Sequence, residues 1–135
     1  MTIFIAADHA GFELKEYLRG CFKLSDVGTY DNESCDYPIF AKKLVRQMRG
    51  ADKGILICGT GIGMSIAANR FKNIRAALCF NEEMATLSRQ HNDANVLVLG
   101  ARIISAETAR GCVEKFLSTD FEDGRHQRRL DLINV

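Results

Sequence analysis

Ile55-Leu56-Ile57-Cys58 is an uninterrupted apolar run, and Gly59-Thr60-Gly61-Ile62-Gly63 follows it directly. A short run that is apolar at every position is typical of a central strand in a parallel sheet, because both faces of such a strand are covered. The glycines predict a tight loop, and the residues after it, about Met64–Asn69, are predicted to form a helix. These residues indicate a strand–loop–helix unit, which is the building block of an α/β fold.

The same alternation of strands and helices is found on both sides of this unit. The other predicted strands are Thr2–Ala7, Lys23–Val27, Arg75–Cys79 and Val96–Leu99. The other predicted helices are Gly11–Cys21, one from Asp36-Tyr37-Pro38 to Gly50, Glu82–His91, Ala106–Ser118 and Arg125–Val135. Parallel neighbouring strands need crossover helices. The prediction is therefore α/β, a single-domain (1–135) Rossmann-like three-layer sandwich with a five-stranded parallel sheet and a C-terminal helix.

Composition narrows the class of protein. The chain has 135 residues, of which 47% are hydrophobic and 26% charged, and its formal net charge is +1. No apolar run approaches the roughly 20 residues that cross a bilayer, and no signal peptide precedes the first strand. We therefore expect a cytoplasmic protein without a membrane partner. The near-neutral charge argues against a nucleic-acid partner, although Arg125–Arg129 is locally basic.

The five cysteines are odd in number and scattered, with no C-x-x-C pair. This pattern favours reduced thiols in a cytosol over a disulfide framework or a zinc site. Most of these cysteines are expected to be small buried residues.

In folds of this class, ligands bind at the carboxyl ends of the strands. Asp8 and His9 follow the first predicted strand and precede a helix, where they could bind hydroxyl or phosphate groups. The alternative is structural, with Asp8 capping the helix and His9 merely exposed.

The loop after Cys58 is the second candidate. Glycines at alternate positions let backbone N–H groups wrap around an anion such as a phosphate or an enediolate. The loop is neither a Walker A motif nor a G-x-G-x-x-G motif. Cys58 would lie between a strand end and a helix start, where the pKa of a thiol is often lowered. The alternative is that Cys58 is only a buried core residue.

His91 and several arginines complete the candidates. His91 ends a predicted helix, where the helix dipole favours imidazolium, although it shares a helix face with apolar residues. Arg102, Arg125 and Arg129 offer donors for a phosphate. Because Arg125 and Arg129 are four residues apart, they point to the same side of a helix. A solvated basic face is the alternative.

Five segments together resemble one family. They are Ala7-Asp8-His9-Ala10-Gly11-Phe12, Asp36-Tyr37-Pro38, Cys58-Gly59-Thr60-Gly61-Ile62-Gly63, His91-Asn92-Asp93-Ala94-Asn95 and Gly124-Arg125-His126-Gln127-Arg128-Arg129. In this order they resemble the type B ribose-5-phosphate isomerases, a family that also includes galactose-6-phosphate isomerase subunits. The resemblance implies interconversion of ribose 5-phosphate and ribulose 5-phosphate through ring opening and a cis-enediolate, without metal or organic cofactor.

The resemblance also implies roles for individual residues. Cys58 would be the base that takes the C2 proton, and His91 would assist ring opening, aided by Asp8 or Asn92. The loop would hold the enediolate through Gly59, Thr60, Gly61, Gly63 and Ser65. The phosphate would be bound by His9, Arg102, Arg125 and Arg129.

Two further features follow from the resemblance. The family works as a dimer with sites completed across the interface, and whether dimers pair into tetramers is left open by the sequence. The basic terminal segment or the His91–Arg102 region is therefore expected to serve a neighbouring subunit. Some members use a glutamate in the loop as base, but here Met64 occupies that position and Cys58 is present. The chain is therefore placed with the cysteine-using members.

Other functions are compatible with parts of the pattern. A six-carbon substrate such as allose or galactose 6-phosphate would use the same chemistry, and only the depth of the pocket would differ. A phosphosugar- or nucleotide-binding module without catalysis would use the glycine loop alone. Such a module would not need a thiol beside the loop, which favours the enzyme.

Overall fold

The structure is a computed structural model, and it describes residues 1–133. Its strands are β1 (Ile3–Ala7), β2 (Ser25–Asp26), β3 (Lys53–Cys58), β4 (Ala76–Leu78) and β5 (Val96–Gly100). Its helices are α1 (Phe12–Cys21), α2 (Tyr37–Gln47), α3 (Ile62–Ala68), α4 (Glu82–Gln90), α5 (Ala106–Ser118) and α6 (Arg125–Asp131). The predicted α/β sandwich with a five-stranded parallel sheet and a C-terminal helix is confirmed.

The strands lie in the order β2-β1-β3-β5-β4, and all neighbouring pairs are parallel. The strand identified first in the sequence, β3, is therefore central. Its residues pair in register with β5 from Gly54 opposite Val96 to Cys58 opposite Gly100. This register places the end of β3 beside the end of β5.

Two layers of helices cover the sheet, because alternate strand residues point to opposite faces. Ile55 and Ile57 face α1, α4 and α5, whose buried residues include Leu18, Ala85 and Phe116. On the other face, Leu56 and Cys58 lie in the cluster formed with α2 and α3. Among the described residues, no helix is both long and apolar enough to span a bilayer.

Local sequence signals explain where several helices begin. The Asn81 and Ser105 side chains accept hydrogen bonds from the backbone N–H groups of Met84 and Thr108, which caps α4 and α5. Pro38 lies in the first turn of α2, as predicted.

Most boundaries differ from the predicted ones by one to four residues. β2 has two residues where Lys23–Val27 was predicted, since it is an edge strand paired only with β1. α3 begins at Ile62, before the predicted Met64, directly after Gly61. The last predicted helix, Arg125–Val135, ends at Asp131, and its residues 134 and 135 lie outside the described part of the chain.

Candidate active site

The ends of β1 and β3 bring Asp8 and Cys58 to the same edge of the sheet. The Asp8 backbone N–H donates to the Ile57 carbonyl at 3.1 Å, which continues the β1–β3 ladder past the end of β1. Adjacent strands lie about 4.8 Å apart, so the two residues are neighbours. The Asp8 carboxylate accepts from the Gly11 N–H at 3.1 Å. Asp8 thus orders the turn before α1 but does not cap the helix as the structural alternative predicted, because the N-cap residue is Gly11 and no side chain caps it.

Cys58 is held at the opening of the glycine loop. Its side chain is buried, and the Gly61 backbone N–H donates to Sγ at 3.2 Å. Gly61 has φ of 81°, and a Cβ there would lie 2.4 Å from Leu78. Only glycine fits this turn, which aims the amide at the sulfur. This hydrogen bond fixes the sulfur at the mouth of the loop.

Arg102 lies across the start of the same loop. Its backbone N–H donates to the Gly59 carbonyl at 2.9 Å, and a Cβ on Gly59 would approach its guanidinium to 2.9 Å. Because Gly59 has no side chain, a cationic group lies directly against the loop. The Arg102 side chain is exposed and therefore available to a phosphate.

The second half of the loop presents polar groups and an aromatic ring. Thr60 is exposed, and its Oγ1 accepts from the Ile62 N–H at 3.2 Å. The Ser65 N–H donates to the Gly61 carbonyl at 3.0 Å in the first turn of α3. The Tyr37 ring lies so close to Gly63 that a Cβ there would approach it to 2.5 Å.

His9 is oriented by a backbone group from the loop before α2. The Cys35 N–H donates to His9 Nδ1 at 3.2 Å, and the Cys35 sulfur lies 3.9 Å from the same nitrogen. Since Nδ1 accepts this bond, the proton of the neutral ring is on Nε2. His9 therefore presents a hydrogen-bond donor away from Cys35.

His91 and Asn92 lie at the opposite edge of the sheet. Helices in this fold run antiparallel to the strands, so α4 begins near the carboxyl ends of the strands and finishes near their amino ends. The segment after α4 confirms this placement, because Asn95 bonds through its backbone to Arg75 and Gly54, which precede or begin strands. Gly54, near the amino end of β3, and Cys58, at its carboxyl end, are four residues apart. At about 3.3 Å per residue, the two ends of the strand are about 13 Å apart. Within one chain, His91 cannot reach a substrate bound at Cys58.

His91 instead belongs to a cluster with Glu122 and His126. The His91 and His126 rings stack at 4.4 Å between centroids, with 14° between their planes. Glu122 Oε1 lies 3.8 Å from Nε2 of His91 and 3.6 Å from Nε2 of His126. Desolvation lowers the pKa of the His126 imidazole, and the nearby His91 and Arg125 lower it further.

The arginines of α6 lie beside this cluster. Arg125 and Arg129 are exposed, one helical turn apart, on the helix that also carries His126. They are therefore separated from Arg102, the other arginine predicted to bind the phosphate.

The structure thus divides the predicted site residues into two groups. At the carboxyl edge it brings together Asp8, His9, Cys58, Gly59, Thr60, Gly61, Gly63, Ser65 and Arg102. At the amino edge it places His91, Asn92, Arg125 and Arg129. Glu122 and His126, which were not among the predicted site residues, lie there too. We call these groups the thiol half-site and the imidazole half-site.

Four residues that adjoin the half-sites were not predicted from the sequence. Cys35 and Tyr37 adjoin the thiol half-site, and Glu122 and His126 adjoin the imidazole half-site. Tyr37 and His126 stand within segments that carry the resemblance, which was an available signal. Cys35 acts through its backbone and Glu122 through a tertiary contact, so no sequence pattern points to them.

Two further cysteines, Cys79 and Cys112, are buried in the core away from the glycine loop. Burial raises the pKa of Cys79 to about 12 and that of Cys112 to about 11. Both are protonated at neutral pH and behave as small core residues, as the sequence analysis expected of most cysteines.

Comparison with known proteins agrees with this architecture. Residues 3–133 match the family model described as Ribose/Galactose Isomerase. Ribose-5-phosphate isomerase B of Escherichia coli is 45% identical over 141 aligned positions, which cover 98% of this chain and 94% of that protein.

Two solved structures are similar over nearly their whole length. A ribose 5-phosphate isomerase from Thermotoga maritima is 53% identical with a TM-score of 0.94, and the match covers 98% of this chain and 97% of that one. Ribose-5-phosphate isomerase B from Mycoplasma genitalium, solved with bound ribulose-5-phosphate, is 44% identical with a TM-score of 0.85. That match covers 98% of this chain and 93% of that one.

Proposed function

Because the chain belongs to the ribose/galactose isomerase family, we propose that it interconverts ribose 5-phosphate and ribulose 5-phosphate. The observation that carries the proposal is the Cys58 thiol, bonded to the Gly61 amide at 3.2 Å on a loop beside Asp8 and Arg102. Proton transfer at a carbon next to a carbonyl requires a base to remove the proton and hydrogen-bond donors to stabilise the negative charge on oxygen. Cys58 and the loop would supply these two functions. A binding module would not need the thiol.

In this proposal Cys58 removes the proton from C2 of the open-chain aldose and returns it to C1. The negative charge that develops on the substrate oxygens is stabilised by the loop from Gly59 to Ser65, with Thr60 facing them. Preformed N–H and hydroxyl donors of this kind lower the energy of the transition state, since they need no reorganisation during the reaction. Met64 occupies the position of the alternative glutamate base and is completely buried, which supports Cys58 as the base.

The phosphate of the substrate is bound in this scheme by His9 and Arg102, both at the carboxyl edge. His9 offers an Nε2 donor that is oriented by Cys35, and Arg102 offers a guanidinium beside Gly59. Arg125 and Arg129 are the further phosphate donors, and His91 assists ring opening, aided by Asp8 or Asn92. These last steps need the imidazole half-site near the thiol half-site.

We propose that a homodimer brings the two half-sites together. A two-fold axis across the strands would place the carboxyl edge of one copy against the amino edge of the other, twice per dimer. The separation of His91 from Cys58 within one chain supports this arrangement. So does an exposed apolar stripe on α3, where Ile62 is 54% and Ile66 61% exposed, because such a surface favours burial against a second copy.

Two further assignments are part of the proposal. We propose that residues 1–135 act as one domain, since helices α1 to α5 contribute to the two core clusters that cover one sheet. We also propose a cytoplasmic location, which the five unpaired cysteines support.

The proposal is tested with a coupled assay of the purified chain on ribose 5-phosphate, with allose 6-phosphate and galactose 6-phosphate beside it. We expect turnover of the five-carbon substrate, and Cys58→Ala should lower kcat at least about a thousandfold while substrate still binds. Cys21→Ser is the matched control, because Cys21 is a half-buried thiol on α1 outside the loop. It should retain activity.

Each part of the assay can contradict the proposal. Turnover confined to a six-carbon phosphate would overturn the substrate assignment. Undiminished turnover by Cys58→Ala would remove Cys58 as the base. Tight binding of sugar phosphates without turnover of any of them would favour the binding module.

A further inference from the structure

We propose that His91, Glu122 and His126 form a binding site for a divalent transition-metal ion of the zinc class. Each residue offers one ligand atom, and the three atoms all lie within 4.8 Å of one another. The chain has three histidines, and two of them are in this cluster. The site lies in the imidazole half-site, at the opposite edge of the sheet from Cys58.

The distances between the donor atoms are close to those of a metal centre. Ligand bonds of about 2.0–2.1 Å in a tetrahedral site put neighbouring donors about 3.3 Å apart. Here Glu122 Oε1 is 3.6 Å from His126 Nε2 and 3.8 Å from His91 Nε2. The carboxylate is therefore within about half an ångström of ligand spacing from each imidazole, whereas the three donor atoms as a set lie within 4.8 Å of one another and need a ring rotation to close around an ion.

In both stacked rings, Nε2 is the nitrogen nearest the Glu122 carboxylate. Their planes are only 14° apart and their centroids 4.4 Å apart, so the two in-plane lone pairs do not meet as the rings stand, and one ring must rotate out of the stack by tens of degrees to bind the same ion. The His91 side chain is 42% exposed and has room to rotate, whereas that of His126 is 9% exposed and is held by α6. His126 thus supplies a fixed ligand and His91 an adjustable one.

Backbone contacts hold the three ligands together without an ion. The Glu122 N–H donates to the Gln90 carbonyl at 3.0 Å, which ties the segment before α6 to the end of α4. The Arg89 guanidinium reinforces this connection by donating to the Thr119 carbonyl at 3.1 Å. Because the segments are already ordered, little conformational entropy is lost when an ion binds.

The donor set selects the kind of ion. Two imidazoles and one carboxylate suit Zn²⁺, Co²⁺ or Ni²⁺, whereas Mg²⁺ and Ca²⁺ prefer all-oxygen sites. Three protein ligands leave a fourth position for water. Arg125 and Arg129 on the same helix repel a cation, so we expect a dissociation constant in the micromolar range rather than below it.

The consequence for activity depends on the proposed function. If His91 assists ring opening, an ion bound to its imidazole removes that group from the reaction. Zn²⁺ would then inhibit the isomerase reversibly, and a chelator would restore it. The ion would be an inhibitor and not a cofactor.

The test is titration of the reduced, chelator-treated 135-residue chain with Zn²⁺ by calorimetry and with Co²⁺ by visible absorption, both without substrate. We expect one ion per chain, with affinity reduced at least about tenfold in Glu122→Gln and in His126→Ala. Glu122 is exposed, so its variant should fold even if loss of the buried His126 ring disturbs α6. The matched control is His9→Ala, which removes the third histidine and should bind the ion unchanged.

Unchanged affinity in both Glu122→Gln and His126→Ala would overturn the site. Loss of binding in His9→Ala, or a thiolate-to-cobalt charge-transfer band that keeps full affinity in Glu122→Gln, would also overturn it by placing the ion at the thiol half-site. The metal-free assay measures the proposed function separately. Ion binding that leaves isomerisation unaffected would support the metal site and contradict the role of His91 in ring opening.

Discussion

At the scale of single residues, the five cysteines show how environment separates identical side chains. Cys58 accepts a hydrogen bond from a loop amide at the edge of the sheet, whereas Cys79 and Cys112 are enclosed between the sheet and the helices. Burial without a stabilising charge disfavours the thiolate, which accounts for the raised pKa of both core thiols.

This difference predicts which thiols resist alkylation. With pKa values of about 12 and about 11, Cys79 and Cys112 remain protonated between neutral pH and about pH 9, and they should stay unlabelled by iodoacetamide in the native protein. Mass spectrometry of peptides after timed labelling measures this, and labelling in denaturant provides the control in which all five thiols react. Rapid native labelling of Cys79 or Cys112 would contradict the prediction.

At the scale of elements, a buried ion pair joins α1 to the edge strand β2. The Lys15 side chain is fully buried, and its Nζ lies 2.8 Å from both carboxylate oxygens of Asp26. Asp26 also accepts from the Gly28 N–H at 2.9 Å. β2 has only two residues, so this pair and the β1 ladder hold it in place.

Removing one partner should be more harmful than removing both. Asp26→Ala leaves the Lys15 ammonium buried with Glu16, at 3.4 Å, as its remaining carboxylate among the described residues, and should lower the free energy of unfolding by about 3 kcal/mol. The double variant Lys15→Met with Asp26→Ala should recover part of that loss, because no buried charge remains unpaired. Denaturant unfolding of the three proteins measures the effect, and equal stability of the single and double variants would be the contrary result.

At the scale of the whole molecule, the separation of the two half-sites predicts complementation. Cys58→Ala and His91→Ala should each be inactive alone. If sites are shared in a dimer, co-expression gives mixed dimers with one intact site, and about a quarter of the wild-type activity should return for random pairing. An assay of the co-purified mixture tests this, and mixing two Cys58→Ala preparations is the control. Complete inactivity of a mixture shown to contain mixed dimers would contradict shared sites.

Much of the fold could be predicted from the sequence because its signals are local. The apolar run ending at Cys58 indicated a central strand, and Ala106–Ser118 was predicted with the bounds that α5 has. The prediction made β2 too long, because the length of this strand depends on its pairing with β1 and not on its own residues.

The thiol half-site was also within reach of the sequence, because the ends of neighbouring parallel strands meet at one edge. That rule, applied to Asp8 and Cys58, places them together without coordinates. The sequence by itself thus determined the α/β class, the central strand and the residues at its carboxyl edge.

Only the tertiary structure decided the rest. It placed His91 at the far edge, because a helix that crosses back over the sheet ends about 13 Å from where the strands end. It stacked His91 on His126 and set Glu122 between their nitrogens, although 30 or more residues separate the first residue from the other two. Such contacts depend on the packing of α6 against the end of α4, and no local sequence pattern predicts that packing.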